Sequence, residues 1–169
     1  MSAIPLSVAL LTPESLRRID GEVAKYPPDR RQSAVIAALA IAQDQIGWLP
    51  AEAIAEVAEV LQMPRIAVFE VASFYNMYDL QRPGRCKLTI CTNLPCALSG
   101  ANHAVEQLKD RLGIGFGETT ADGRFTLKEG ECFGACGDAP VLLVNNKRME
   151  SFLNRERLDA LLDELERTS

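Results

Sequence analysis

The chain has 169 residues, 47% of them hydrophobic and 24% charged, a balance that suits one ordinary globular domain or two small ones and excludes a disordered, collagen-like or fibrous chain. Eighteen basic and 23 acidic side chains give a net charge of −5, a surface that repels phosphate backbones, so no nucleic-acid partner is expected. The longest unbroken apolar run, Ala34 to Ala42, is nine residues long where a membrane helix needs about 20, so no direct membrane insertion is expected.

Residues 1–13 are mixed in character, and their tip is expected to be poorly ordered. Arg17 and Arg18 follow a very short apolar stretch, the reverse of the order in a secretory signal, which predicts a cytoplasmic protein. Thr12-Pro13-Glu14-Ser15 offers an N-cap, a proline for the first helical position and an early acid; Leu16, Ile19 and Val23 then recur at helical spacing. Tyr26-Pro27-Pro28-Asp29 ends that helix. A second helix is predicted over about Arg30 to Gly47, apolar nearly all round and therefore buried on several sides, with Gly47 as its C-cap. Pro50 restarts a third helix with the stripe Ile54, Val57, Ala58 and Leu61. A fourth follows Pro64 and carries Ile66, Val68, Phe69 and Val71. Four helices with short connections make a helical bundle, assigned to residues 1–82.

Near Arg82-Pro83-Gly84 the period changes, and a second domain is assigned to residues 83–169. Lys87 to Thr92 alternates polar and apolar, the pattern of a half-buried strand. A helix is predicted from Pro95 to about Leu112 with Leu98, Val105 and Leu108 inward. Arg124 to Lys128 reads as a second strand. Val141 to Val144 reads as a third, almost wholly apolar and so central or covered. Asn145-Asn146 is a turn before a returning strand over Arg148 to Phe152, and Arg155 to Arg167 is an amphipathic helix with Leu158, Leu161, Leu162 and Leu165 on one side. The order β-α-β-β-β-α predicts an α/β layer of helices against a small sheet.

The chemistry is concentrated in cysteine. All five, Cys86, Cys91, Cys96, Cys132 and Cys136, lie in the second half, and there is a single histidine. One histidine excludes a His-pair metal site and a Rieske centre, which takes two. Disulfides are improbable in a reducing cytosol, where such a cluster points to metal or redox chemistry. Four of the cysteines fall in two pairs, C-x4-C at Cys91 and Cys96 and C-x3-C at Cys132 and Cys136, with 35 residues between the pairs. Each pair sits in a loop just after a predicted strand. Four thiolates can hold a [2Fe–2S] cluster, two on each iron. Cys96 opens a helix, where free N–H groups favour an anion, and Gly134 and Gly137 let backbone approach the sulfurs. Structural zinc uses similar spacings, so spacing leaves iron–sulfur and zinc both open. The C-x-x-C of dithiol exchange is absent.

CTNLPC, ECFGACGDAP and VLLVNNKRM, with AQDQIGWLP and VASFYNMY upstream, closely resemble the thioredoxin-like [2Fe–2S] subunit of bacterial NADH:quinone oxidoreductase (respiratory complex I, the NuoE family). The resemblance covers nearly the whole chain. It implies a helical bundle followed by a thioredoxin-like ferredoxin domain, with Cys91 and Cys96 binding one iron and Cys132 and Cys136 the other. It also implies a flavin- and NADH-binding partner subunit with which the cluster exchanges one electron, a neighbouring iron–sulfur subunit as a further partner, and a peripheral place on the inner face of the cell membrane through the complex. The bare cysteine motif would serve an NAD-linked formate dehydrogenase or hydrogenase equally. A zinc-stabilised interaction module is the reading from a different class.

The remaining features are plainer. No Rossmann or P-loop glycine pattern is present, and Gly113-Ile-Gly115-Phe-Gly117 follows a helix, so it is read as a loop. Cys86 lies five residues before Cys91 on the same predicted strand, on its opposite face, and is expected to be a small buried hydrophobe and not a ligand. His103 is expected to be solvated or partly packed, Trp48 to anchor the core, and Tyr75, Met77 and Tyr78 to pack between the two subdomains. Thr92 and Asn93 are assigned to the turn, with side-chain donation to the sulfurs as the alternative. The acidic residues of the last helix, Asp159, Asp163, Glu164 and Glu166, are read as a solvated face.

Overall fold

The computed structural model describes residues 9–168; the tip of the N-terminal segment lies outside them. The chain divides into two compact units, the first ending at Arg82 and the second starting at Pro83.

The first unit is helical. Helix α1 (Pro13–Val23) starts as its sequence dictates: the Thr12 side chain accepts the Ser15 N–H, and Pro13 takes the first helical position. Ile19 is fully buried, while Leu16 and Val23 pack at the edge of the core. The next helix begins later than its apolar pattern predicts. Residues Pro28–Ala34 form a tighter 3-10 turn interrupted at Arg30 (φ −122°), and α2 runs Val35–Ile46. Two successive prolines and a non-helical Arg30 delay the α-helical register. Gly47 closes α2 at φ 91°, a conformation that glycine adopts without steric cost. Ala38, Leu39, Ile41 and Ala42 are buried, but Ile36 and Ala40 stay exposed, so α2 is covered on less of its circumference than expected.

Helix α3 (Ala51–Leu61) buries Ile54, Val57, Ala58 and Leu61 as its stripe predicts. Helix α4 (Arg65–Phe74) corrects the sequence reading: it buries Val68 and Ala72, whereas Ile66 is 63% and Phe69 45% exposed. Its inward face runs through i and i+4, and the small Ala72, not the larger Phe69, meets the neighbouring helices. Two more expectations are revised. Trp48 is only half-buried, and it is Leu49, 1% exposed, that anchors the connection, its N–H bonded to the Asp79 carbonyl at 2.8 Å. Tyr78 and Met77 pack into the core of the helical unit itself, with the Tyr78 hydroxyl donating to the Ile36 carbonyl at 2.7 Å. Tyr75 stacks edge-on against Phe74 and Tyr78. Gln43 holds this segment from α2: its Nε2 donates to the Met77 carbonyl (2.9 Å), and its Oε1 accepts the Asp79 N–H (2.7 Å).

The second unit is a mixed four-stranded sheet in the order β2-β1-β3-β4. Strand β1 is Cys86–Cys91, β2 Phe125–Gly130, β3 Leu142–Val144 and β4 Arg148–Glu150. Strands β1 and β2 are parallel, so a crossover must join them. It is made of two helices, not one: α5 (Leu94–Leu98), a break at Gly100 (φ 100°), and α6 (Ala101–Leu112). The break redirects the chain, so Val105 and Leu108 face inward as predicted, but Leu98 is 80% exposed.

The core of this unit joins Cys86, Leu88 and Ile90 of β1 to Leu108 of α6 and to Leu158, Leu161, Leu162 and Leu165 of α7 (Arg155–Thr168). Asn154 starts α7 by accepting the Arg157 N–H. Strand β1 is buried along its whole length, not on one face as its alternation predicts. It lies inside the sheet, and its polar residues are covered too: Lys87 and Thr89 are only 3% and 4% exposed. Asn145 extends the ladder beside Lys87, its Oδ1 accepting the Lys87 N–H and its own N–H reaching the Lys87 carbonyl. Asn145 and Asn146 both take positive φ, the geometry of a tight primed hairpin turn. Gly113 caps α6, and the loop after it runs to Gly117, whose N–H bonds the Leu127 carbonyl along the outer edge of β2. The acidic face of α7 is not simply solvated: Arg111 of α6 pairs with Asp159 (2.9 Å) and Asp163 (3.1 Å), and Arg148 of β4 with Glu164. His103 is a solvated residue of α6, 3.7 Å from Glu106. Among the described residues no helix is long and apolar enough to cross a membrane.

Candidate metal centre

Parallel pairing assembles the site. In β1 and β2 the registers match Cys86 with Phe125 and end with Cys91 opposite Gly130. Because the strands run the same way, the chain leaves both at the same edge of the sheet. The loop carrying Cys91 and Cys96 therefore lies beside the loop carrying Cys132 and Cys136. Val141, at the entrance to β3, closes a third side: its carbonyl accepts the Cys91 N–H at 3.1 Å.

The two pairs differ in environment. Cys91 and Cys96 are each 2% exposed and form a small apolar cluster with Ala101 and Val141, against which Phe133, Ala135 and Ala139 pack. Cys132 and Cys136 are exposed. Their sulfurs stand 3.8 Å apart, and the Gly134 N–H points at the Cys132 Sγ from 3.3 Å. Gly134 has φ 75°, so a glycine is what lets that N–H turn toward the sulfur. Cys96 occupies the third position of the short helix α5, as expected.

The electrostatics tie the thiols together. Burial pushes the Cys91 thiol up; its contacts with Cys96 and the nearby Cys132 push the same way, and a backbone N–H at Asn93 opposes them. Cys136 is also raised, first by its contact with the Cys132 sulfur and further by Cys91. The Cys91 and Cys136 thiols thus resist ionising beside the sulfurs around them. A cationic centre removes that conflict, since metal ligands bind as thiolates and release their protons.

The donor set fits a binuclear iron–sulfur core. Tetrahedral coordination at a metal–sulfur bond of about 2.3 Å puts two thiolates roughly 3.8 Å apart, the separation found for Cys132 and Cys136. The thiols come two and two. Cys86 packs with Leu88 and Ile90 in the sheet core, a cluster separate from that of Cys91 and Cys96.

Thr92 and Asn93, assigned to the turn from their sequence, also act through their side chains. The Thr92 hydroxyl donates to Glu129 Oε1 and the Asn93 amide to Glu131 Oε2, both at 2.8 Å, the first tying the Cys91–Cys96 loop to the end of β2 and the second tying it to the loop that carries Cys132 and Cys136. Glu131 and Phe133 lie within ECFGACGDAP without an expected role, and Glu129 lies outside the motifs. Their role depends on which strand lies beside which.

Comparison with known proteins agrees with this geometry. The chain is 41% identical over 152 residues to an NADH-quinone oxidoreductase subunit of Rickettsia felis, covering 89% of this chain and 90% of that one. It is 39% identical over 155 residues to the mitochondrial NADH dehydrogenase [ubiquinone] flavoprotein 2 of Dictyostelium discoideum, covering 91% of this chain and 62% of that one. Among solved structures, an NAD+-reducing [NiFe]-hydrogenase in its air-oxidized state superposes with a TM-score of 0.65 at 26% identity. That match covers 77% of this chain and only 23% of the hydrogenase chain. The family model for the thioredoxin-like [2Fe–2S] ferredoxin matches residues 19–166. With helical bundle, mixed sheet and paired thiols all in place, the chain belongs to the thioredoxin-like [2Fe–2S] ferredoxin family, and a [2Fe–2S] cluster is its cofactor.

Proposed function

We propose that this chain is the [2Fe–2S] electron-transfer subunit of the NADH-oxidising module of a respiratory NADH:quinone oxidoreductase. In this reading Cys91 and Cys96 hold one iron and Cys132 and Cys136 the other. The observation that carries it is the delivery of the two cysteine pairs to one sheet edge by the parallel β1–β2 pair. The near full-length similarity to the Rickettsia felis oxidoreductase chain supports the place in a complex.

When bound, the cluster takes up and passes on one electron at a time. The chain's own residues set the conditions. Buried Cys91 and Cys96, backed by Val141 and Ala101, keep water from one side. The Gly134 N–H supplies a donor to the Cys132 sulfur, the kind of contact that stabilises negative charge there. Exposed Cys132 and Cys136 leave the other side open at the surface, where a partner can approach. The sequence has no nucleotide-binding glycine pattern, so NADH and flavin belong to a partner subunit, with a neighbouring iron–sulfur subunit as a further contact. Peripheral attachment to the cytoplasmic face of the membrane follows through those partners.

The test is affinity purification of the tagged full chain at its native level, with mass spectrometry and EPR. The expected result is co-purification of a flavoprotein with an NADH site and of membrane subunits, and a reduced [2Fe–2S] signal from this chain. A preparation without iron or sulfide would overturn the reading. The 26% identical hydrogenase match motivates a second reading, a subunit of an NAD-linked hydrogenase; co-purification of a [NiFe] subunit would select it.

A further inference from the structure

We infer that Thr92 with Glu129, and Asn93 with Glu131, form a two-point latch that holds the Cys91–Cys96 loop to the end of β2 and to the start of the Cys132–Cys136 loop, and that this latch governs how long the site retains its cluster. The inference rests on the ligand assignment proposed above.

The backbone ladder gives out where the site begins. Cys91 pairs with Gly130, and the next bond, from the Thr92 N–H to the Gly130 carbonyl, is stretched to 3.4 Å, beyond the ordinary range for N–H···O. From there one loop turns into α5 while the other runs on to Cys132. Two side-chain bonds, each 2.8 Å long, reinforce that point, one from Thr92 back to Glu129 of β2 and one from Asn93 across to Glu131 beyond it. Thr92 directly follows Cys91, and Glu131 directly precedes Cys132. A site with two ligands on each loop comes apart when the loops part, so whatever ties the loops sets the rate of opening.

Charge sharpens the argument. Two carboxylates beside four thiolates add like charge and disfavour reduction. Their presence is accounted for by what they accept: hydrogen bonds to a carboxylate are shorter and stronger than neutral ones. These four are therefore positioning residues, acting through the cysteines beside them.

The test compares the full chain carrying its cluster with three double variants. Glu129→Ala with Glu131→Ala removes both acceptors and two charges. Glu129→Gln with Glu131→Gln keeps an acceptor oxygen for each donor and removes the charges. Thr92→Val with Asn93→Ala removes the donors and keeps the charges. Three quantities are followed: bleaching in the presence of an iron chelator, the midpoint potential by EPR titration, and thermal unfolding of the iron-free chain. The latch predicts bleaching roughly three- to tenfold faster in the alanine pair and in the Thr92/Asn93 pair, and within about twofold of the parent in the glutamine pair. It predicts a raised midpoint in both glutamate variants and little change in the Thr92/Asn93 pair. Unfolding of the iron-free chain stays close to the parent in all three. Equal bleaching in the parent and the Thr92/Asn93 pair, or glutamine variants as fast as alanine ones, would overturn the latch. A parent that holds no iron or sulfide would overturn the ligand assignment itself, and the latch with it.

Discussion

Phe133 sits directly over Gly130: a Cβ built on Gly130 would lie 2.5 Å from Phe133 Cζ and 2.8 Å from Thr89 Cγ2. The last residue of β2 is thus the seat for a ring that belongs to the Cys132–Cys136 loop. Packing anchors the loop from below, and hydrogen bonds tie it across to its neighbour.

Gly130→Ala should displace that ring. Overpacking of this kind costs about 1–3 kcal/mol, and the loop that moves carries two of the four thiols. Denaturant unfolding should show the loss, and iron content should fall with it. Trimming the ring, in Gly130→Ala with Phe133→Leu, should recover part of both. A Gly130→Ala protein with parental stability and iron content would show that the contact does not hold the loop.

Serine at Cys91, Cys96, Cys132 or Cys136 should abolish or strongly perturb the visible spectrum and the reduced-state EPR signal, because in the proposed assignment each position supplies one of four ligands. Cys86→Ala should leave both intact. Cys86 faces the core with Leu88 and Ile90, five residues and roughly 16 Å along the strand from Cys91. Loss of iron in the Cys86 variant, with circular dichroism unchanged, would contradict this.

Tyr78 connects the fold of the helical unit to pH. Burial, with a smaller contribution from Tyr75, pushes its phenol up to about 12, against about 10 in an unfolded chain. The folded state holds the proton more tightly, so this contribution is complete below about pH 10 and is lost as pH rises toward about 12. Tyr78→Phe should remove that alkaline dependence. At neutral pH it should also cost about 1–2 kcal/mol, from the lost bond to the Ile36 carbonyl. Parallel stability–pH curves for the two proteins between about pH 9 and 12 would refute the assignment.

Gln43→Ala should destabilise the helical unit by about 1–3 kcal/mol, since it leaves the Met77 carbonyl and the Asp79 N–H without the amide that bonds both. Gln43→Glu keeps the acceptor for Asp79 but turns a carboxylate oxygen toward the Met77 carbonyl, and at neutral pH should be at least as destabilising as alanine. Thermal unfolding measures the order, and a glutamate variant closer to the parent than the alanine variant would sink it.

Features set by near neighbours in the chain were legible from the sequence. The Thr12 cap, the αL close at Gly47, the stripe of α3, the leucine face of α7 and the Asn145-Asn146 turn each follow from residues within a turn or two, because capping, periodicity and left-handed backbone are local. The cysteine spacing and the family motifs were legible in the same way. Expectation and structure part where a remote partner decides. Leu98 fits an inward stripe only if the helix runs straight, and Gly100 breaks it. Phe69 and Ala72 both suit an apolar face, and the packing of α4 against its neighbours selects the smaller. Lys87 and Thr89 alternate as solvent-facing residues should, yet β1 lies within the sheet with both its faces covered.

The site shows the same division. Spacing in one chain supplies two cysteine pairs, but only the parallel register of β1 and β2 lays Cys91 opposite Gly130 and brings the pairs to one edge. Glu129 and Glu131 acquire their partners Thr92 and Asn93 from that register. Hydrogen bonds between residues 37 and 38 positions apart depend on strand order, which no local pattern encodes. The sequence by itself determined which atoms can bind iron and where most helices start and stop; the tertiary structure decided which thiols meet, what buries them and what holds their loops together, because those are contacts between segments that periodicity describes only one at a time.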